Sequence, residues 1–103
     1  MKNKKTKKVK KEANSEYNLI LDMAGKKYEA KSQTIEDAIR ALELSWEQIK
    51  LKGTITIGKD GHSYSHLFFP KQLRRIFTNK LTLMMWAKRL TLLFKETAPM
   101  DAG

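Results

Sequence analysis

The chain is 103 residues long, is 41% hydrophobic and has a formal net charge of +10, which fits one small domain with a modest core. The absence of cysteine excludes disulfides and thiolate metal sites, and no apolar run reaches the length of a membrane span. Because no continuous apolar segment follows the basic N-terminus, we do not expect a secreted protein. We expect an intracellular protein that is cytoplasmic or associated with nucleic acid, or one that is packaged in a particle.

The chain begins with a lysine-rich segment. Residues 1–11, MKNKKTKKVKK, hold seven lysines and no acid. So dense a run repels itself and has nothing to bury, which predicts a disordered tail over residues 1–15. Lysines that meet phosphates release condensed counterions and bind nucleic acid without reading its sequence, and the candidates are Lys4, Lys5, Lys7, Lys8, Lys10 and Lys11. The alternative is a solubilising tail without a fixed partner.

The first half of the folded region predicts a hairpin and a helix. YNLILDM, from Tyr17, alternates apolar and polar residues as a half-buried strand does. Gly25 supplies a turn, and KYEAKS returns as the second strand. Thr34 is a candidate N-cap for the helix that begins with TIEDAIRALEL. Its apolar stripe consists of Ile35, Ala38, Ile39 and Leu42.

The second half follows a similar plan, but the two units do not form a sequence repeat. IKLKGTITI predicts a third strand with Ile49, Leu51, Ile55 and Ile57 on one face, and HSYSHLFF predicts a fourth after the turn GKDG. Pro70 suits the first position of the helix PKQLRRIF, and Asn79 separates it from the helix LTLMMWAKRLTLLFK.

These elements predict an α+β fold over residues 16–97. We expect a four-stranded antiparallel sheet in ββαββα order with an additional C-terminal helix, and with the helices on one face. Residues 98–103 are predicted to be a disordered C-terminus.

Two histidines in the fourth strand raise the question of a metal site. His62 and His66 share a face, but strand geometry separates them by roughly 13 Å, so they cannot bind one metal. A two-residue turn at Asp60-Gly61 places Tyr64 and His66 beside the core isoleucines, whereas a three-residue loop exposes them beside lysines as a surface for stacking bases. The two-residue turn is chemically more coherent, and we favour it.

Catalytic patterns are weak. Ser63 and Ser65 face away from the neighbouring histidines, no carboxylate is placed to orient an imidazole, and no glycine-rich phosphate loop is present. We therefore expect no enzymatic activity, no cofactor and no metal.

The C-terminal third is basic. Residues 12–66 hold seven Lys/Arg against nine Asp/Glu, whereas residues 67–103 hold seven against two. Arginine forks bind phosphate oxygens in a bidentate way. The candidate phosphate-binding residues here are Lys71, Arg74, Arg75 and Lys80, and the alternative is an ordinary solvated helix face.

The last helix is apolar on two sides. Leu83, Trp86, Ala87, Leu90 and Phe94 form one stripe, and a second stripe lies nearly opposite. One stripe can cover the sheet, and an exposed second stripe is typical of a partner surface, unless the preceding helix covers it. The candidate partner-binding residues are Leu81, Met85, Trp86 and Leu92. The same helix could instead lie on a membrane surface, although Lys88 and Arg89 give that reading little support.

Two functions follow from these features. The first is a small basic accessory protein that binds nucleic acid, with RNA or a ribonucleoprotein favoured because no helix-turn-helix or zinc-finger pattern is present. The second is a non-enzymatic structural or assembly protein, such as a virion or complex component, that docks through the C-terminal helix as a homo-oligomer or on another protein.

Overall fold

The computed structural model describes residues 16–97 of the chain. The predicted tails, 1–15 and 98–103, lie outside the described residues, and so do the six candidate lysines of the N-terminal segment. Within the described range no helix is long and apolar enough to cross a membrane.

The described residues form an α+β domain with four strands, three helices and one 3-10 turn. In chain order these are β1 (Tyr17–Met23), β2 (Lys26–Ser32), α1 (Ile35–Leu42), the 3-10 turn (Trp46–Gln48), β3 (Gly53–Lys59), β4 (His62–Phe68), α2 (Pro70–Thr78) and α3 (Lys80–Thr97). This order confirms the predicted ββαββα arrangement with an additional C-terminal helix.

The sheet is antiparallel throughout, with the strand order β2-β1-β3-β4. Each hairpin has a two-residue turn in which both residues have positive φ, 53° and 91° at Ala24-Gly25 and 53° and 81° at Asp60-Gly61. These values are typical of the type I′ turns that match the twist of paired strands.

The second turn fixes the register of the histidine strand. Lys59 pairs with His62, so that Tyr64 lies opposite Ile57 and His66 lies opposite Ile55. The two-residue turn is therefore confirmed, and the alternative register, which exposes these aromatic residues beside lysines, is wrong.

The core lies between the sheet and the three helices. Alternate residues of β1 and β3 point into it, and each helix adds the apolar face that its sequence predicts. The largest fully buried side chains are Phe68, Leu19, Leu21, Ile35, Ile39, Ile49, Ile55, Ile57, Leu73, Ile76 and Leu90. On the opposite face of the sheet, Lys27, Lys31, Ser63 and Ser65 are exposed. The helices thus pack on one face, as predicted.

The helix boundaries lie at the predicted N-cap, Thr34, and at the predicted break, Asn79. The Thr34 hydroxyl accepts a hydrogen bond from the Asp37 N–H at 3.1 Å, which fixes the start of α1. Asn79 serves both α2 and α3. Its backbone N–H donates to the Arg75 carbonyl at 2.8 Å, at the end of α2. Its side-chain oxygen accepts from the Thr82 N–H at 3.1 Å, at the start of α3. One residue therefore separates two helices.

The predicted start of the third strand is wrong. β3 begins at Gly53, and Leu51, predicted on the core face, is 52% exposed. The 3-10 turn intervenes, because the Ile49 N–H bonds back to the Trp46 carbonyl at 3.2 Å. The Ile49 carbonyl in turn accepts from Arg74 at 2.7 Å, so Ile49 is buried as a connector beside α2 and not as a strand residue.

Candidate nucleic-acid interface and docking surface

Three of the predicted phosphate-binding residues share one side of α2. Lys71, Arg74 and Arg75 are spaced three and four residues apart, which places them on one helical face, while Leu73 and Ile76 are buried on the other. Lys71 and Arg75 are exposed, and Arg74 is half-buried. We call this set the α2 cationic face.

Arg74 is held in a fixed orientation. Its Nε donates to the Ile49 carbonyl at 2.7 Å, and its guanidinium carbon lies 4.8 Å from the centroid of the Trp46 ring. Arginine stacks on aromatic faces in this way because its planar cation is attracted to the ring electrons. Because this hydrogen bond uses Nε, it leaves the two Nη groups as donors for a ligand.

The turn that holds Trp46 is itself capped. The Ser45 N–H donates to the Gln48 side-chain oxygen at 2.8 Å, and the Gln48 N–H donates to the Ser45 carbonyl at 3.0 Å. Two reciprocal bonds across one turn restrict the backbone on both sides of the tryptophan. The ring nevertheless remains outside the core, since Trp46 is 55% exposed.

Sequence reasoning did not place Trp46 beside the α2 cationic face. The Ser-x-x-Gln spacing from Ser45 to Gln48 does indicate a capped turn around it. Nothing local indicates that Arg74, far along the chain, stacks on the ring.

Lys80 lies apart from the α2 cationic face. It is the exposed first residue of α3, directly after the capping Asn79, and so belongs to a different helix. The structure places it at the junction where α2 ends, next to the last turn of the helix that presents the other three cations.

Charge along the second half of the domain has one sign. Between Gly61 and Lys95 the sequence contains seven Lys/Arg and no Asp or Glu. These cations all lie in α2 and α3, and β4, α2 and nearly all of α3 contain no acid to neutralise them.

The histidines occupy structural positions. The Tyr64 hydroxyl and His66 Nδ1 form a 2.8 Å hydrogen bond, and the His66 ring packs 4.7 Å from Phe68 and 5.4 Å from Trp86, between ring centroids. Burial, and secondarily the charge of Arg89, lowers the pKa of His66 below its ordinary value. Among residues 16–97 no group of three or more metal-binding side chains is close enough to hold an ion.

The second apolar stripe of α3 is exposed. Leu81 is 76% exposed, Met85 56%, Leu92 55% and Met84 41%, and α2 does not cover them. We call these four residues the outer stripe of α3. Together with Ile35 and Glu36 at the start of α1 and with Lys88 and Arg89, they line a groove of about 830 Å³.

Trp86, the fourth predicted partner-binding residue, does not lie on the outer stripe. Its ring meets that of Phe68 edge-on at 4.8 Å between centroids, and the Arg89 guanidinium lies 5.7 Å from it. Trp86 is thus half-buried at the boundary between α3 and the sheet.

No family model, curated protein or solved structure matches this chain. Any functional conclusion must therefore rest on the chemistry of these two surfaces.

Proposed function

We propose that this protein binds nucleic acid, with RNA or a ribonucleoprotein preferred to duplex DNA, mainly through phosphate contacts. The observation that supports this most directly is the α2 cationic face, which displays Lys71, Arg74 and Arg75 on a segment without acidic residues. Phosphate contacts supply most of the affinity of sequence-independent nucleic-acid binding.

The held orientation of Arg74 adds to this argument. A free arginine side chain loses conformational entropy when it clamps a phosphate, and that loss opposes binding. Arg74 is already fixed through Nε and through its stack on Trp46, so its remaining donors lose less freedom when a phosphate arrives. Preorganisation of this kind increases affinity without a new contact.

The lysine-rich segment extends the same chemistry. Its candidate lysines, which lie outside the described residues, add phosphate contacts without base recognition, whereas the α2 cationic face provides an ordered set of donors. Lys80, at the junction of α2 and α3, extends the ordered set.

A salt titration tests the proposal. Binding of the 103-residue chain to a labelled single-stranded RNA is expected to weaken steeply with salt. The logarithm of the binding constant should fall linearly with the logarithm of the salt concentration, with a slope of roughly −0.7 for each phosphate contacted. Deletion of residues 2–11 is expected to flatten that slope. An affinity that does not change with salt would contradict the proposal.

A pair of matched variants locates the ordered contacts. The double substitution of Lys71→Gln and Arg75→Gln removes two exposed cations from the α2 cationic face. The control, Lys27→Gln with Lys31→Gln, removes two exposed cations from the face of the sheet opposite the helices. The two double variants therefore have the same net charge. The first pair is expected to reduce the slope by about 1.4, and the second to change it little. An equal reduction of the slope in both double variants would mean that net charge, and not the α2 cationic face, determines binding.

Assembly through the outer stripe of α3 is a second candidate function, favoured by the exposure of Leu81, Met85 and Leu92 along one side of the helix. The occupant that we favour is a second copy of this chain. The groove has Glu36, which pairs with Arg40 at 2.7 Å, on one wall and Lys88 and Arg89 on the other. A two-fold arrangement can bring Lys88 or Arg89 of one copy towards the Glu36 carboxylate of the other.

The oligomeric state tests this second function. Light scattering on nucleic-acid-free protein over a range of concentrations is expected to show a dimer that Leu81→Glu with Met85→Glu dissociates. Leu51→Glu, which replaces a residue of similar exposure away from the groove, serves as the control and is expected to leave the dimer intact. A monomer at every concentration would contradict self-assembly.

A further inference from the structure

The strongest unassigned feature is the exposed ring of Trp46. Large aromatic side chains are usually half or more buried, and a tryptophan at 55% exposure leaves a wide apolar and polarisable surface in water. One side of this ring is occupied by the Arg74 guanidinium, 4.8 Å from the ring centroid. The rest of the ring surface is exposed to solvent and open to a second planar group.

We propose that Trp46 is a base-stacking residue that receives an unpaired nucleobase, so that the protein prefers single-stranded RNA or DNA to a duplex. This inference rests on the proposed nucleic-acid binding. The α2 cationic face binds the phosphates, and Trp46 would bind the base. In a duplex both faces of every internal base are stacked on neighbours, whereas a single strand exposes them.

The geometry places the ring at the border of the phosphate-binding face. Arg74 is a member of that face and contacts Trp46 directly, so a phosphate held by Arg74 lies next to the ring. Backbone contacts from cations combined with base stacking on an aromatic ring are the usual means by which proteins bind single strands without reading sequence.

Charge assigns the phosphate to the Arg74 side of the Trp46 ring and the base to its exposed part. The Arg74 guanidinium lies 4.8 Å from the ring centroid and attracts phosphate to that side. Glu47, the next residue after Trp46, is exposed and negatively charged, and a nucleobase is uncharged and is not repelled by it.

Rigidity of the turn favours the same role. The paired bonds between Ser45 and Gln48 hold the backbone, and the arginine stack orients the ring, before any ligand arrives. A stacking platform that is already ordered loses little entropy on binding.

Affinity measurements on the full-length chain test the inference with a short labelled single-stranded RNA and with the duplex of the same sequence. Trp46→Ala also removes the stack that orients Arg74, so it is expected to weaken binding of both probes. Binding of the single strand is expected to fall at least about five-fold more than binding of the duplex, which is the lower end of the effect of losing one stacked base. The salt dependence of single-strand binding should stay the same, because no charge is removed. Trp46→Phe keeps an aromatic ring and is expected to retain most of the affinity.

Fluorescence provides a second measurement that does not depend on removing the ring. In a Trp86→Phe background Trp46 is the remaining tryptophan, and its emission is expected to be quenched by the single strand and not by the duplex. Thermal unfolding of each variant checks that the fold is kept. If Trp46→Ala lowers the thermal stability, the fluorescence of Trp46 decides whether its ring contacts the single strand.

The outcomes separate this inference from the function on which it rests. Salt-dependent binding that is the same for Trp46→Ala and the original chain, without quenching, overturns base stacking and leaves phosphate binding in place. An equal loss for single strand and duplex also overturns it. A chain that binds neither probe overturns both proposals.

Discussion

The Tyr64 hydroxyl lies 2.8 Å from Nδ1 of His66, two residues further along the same face of β4. An imidazole that carries its proton on Nε2 accepts the hydroxyl hydrogen at Nδ1. The His66 ring also packs against Phe68 and Trp86 and lies close enough to Arg89 to sense its charge. This arrangement favours the neutral form of His66, first by burial and second by repulsion from the guanidinium.

Stability is therefore expected to fall as His66 is protonated. The pKa of His66 in the folded protein lies below that of the unfolded chain, about 6.5, so the unfolded chain takes up the proton first as the pH falls. This contribution to the free energy of unfolding is complete above about pH 6.5 and is lost as the pH falls from there through the folded-state pKa. NMR titration of the His66 ring is expected to give a pKa below 6.5.

The substitution Arg89→Gln separates the two causes of the lowered His66 pKa, which are burial and the charge of Arg89. Removal of the cation is expected to raise the pKa of His66 only part of the way to its ordinary value, because burial is the larger cause. A full return to the ordinary value in this variant would show that charge dominates. An unperturbed His66 in the original chain would contradict the environment described for it.

Local patterns were enough to predict most of the fold. The alternation in Tyr17–Met23, the N-cap at Thr34, the break at Asn79 and the paired turn residues Asp60-Gly61 each act over a few residues, and each indicated the element that forms. The strand order β2-β1-β3-β4 was not predicted, because the pairing of β1 with β3 depends on packing between distant segments.

The sites show the same division between local and distant information. Helical spacing alone placed Leu81, Met85 and Leu92 together, and the positions of α1 and α2 determine that they stay exposed. The stack of Arg74 on Trp46 needed the 3-10 turn and α2 in place. The alternation from Ile49 to Ile57 gave a strand that starts too early, because the backbone of Ile49 bonds to the turn and to Arg74.

Gly53→Ala is expected to destabilise the protein. A Cβ at Gly53 would lie 2.8 Å from Cγ of Met23, 2.9 Å from Cδ1 of Leu21 and 3.1 Å from Cδ1 of Leu73, so buried side chains must shift. Overpacking of this kind costs about 1–3 kcal/mol, measurable by urea unfolding.

Gly58→Ala is the matched control on the same strand. Its added Cβ would approach nothing closer than the His62 carbonyl oxygen at 3.7 Å, an ordinary contact. Alanine also restricts the unfolded chain, so the expected change is between zero and a gain of about 1 kcal/mol. Equal destabilisation by both substitutions would contradict the close packing described around Gly53.

Ala24→Asn is expected to stabilise the first hairpin. Ala24 has φ of 53°, a left-handed conformation that costs most residues about 1–2 kcal/mol and that asparagine tolerates better. We expect a gain of up to about 1 kcal/mol in thermal or urea unfolding. Ala41→Asn makes the same exchange at an exposed position of α1, where asparagine is expected to cost about 0.5 kcal/mol. Changes of the same sign at the two positions would contradict the backbone described for the turn.

Trp86→Ala and Met85→Ala are expected to differ strongly although the residues are neighbours on α3. The Trp86 ring packs edge-on against Phe68 and contacts His66, so its removal opens a gap beside the core and should cost about 2 kcal/mol or more. Met85 is 56% exposed, so its truncation should change the stability of the monomer by less than about 0.5 kcal/mol. Urea unfolding at a protein concentration low enough to keep the chain monomeric measures both, since association would add stability through Met85. A large loss for Met85→Ala that persists on dilution would place that side chain inside the monomer's core and remove the outer stripe as a docking surface.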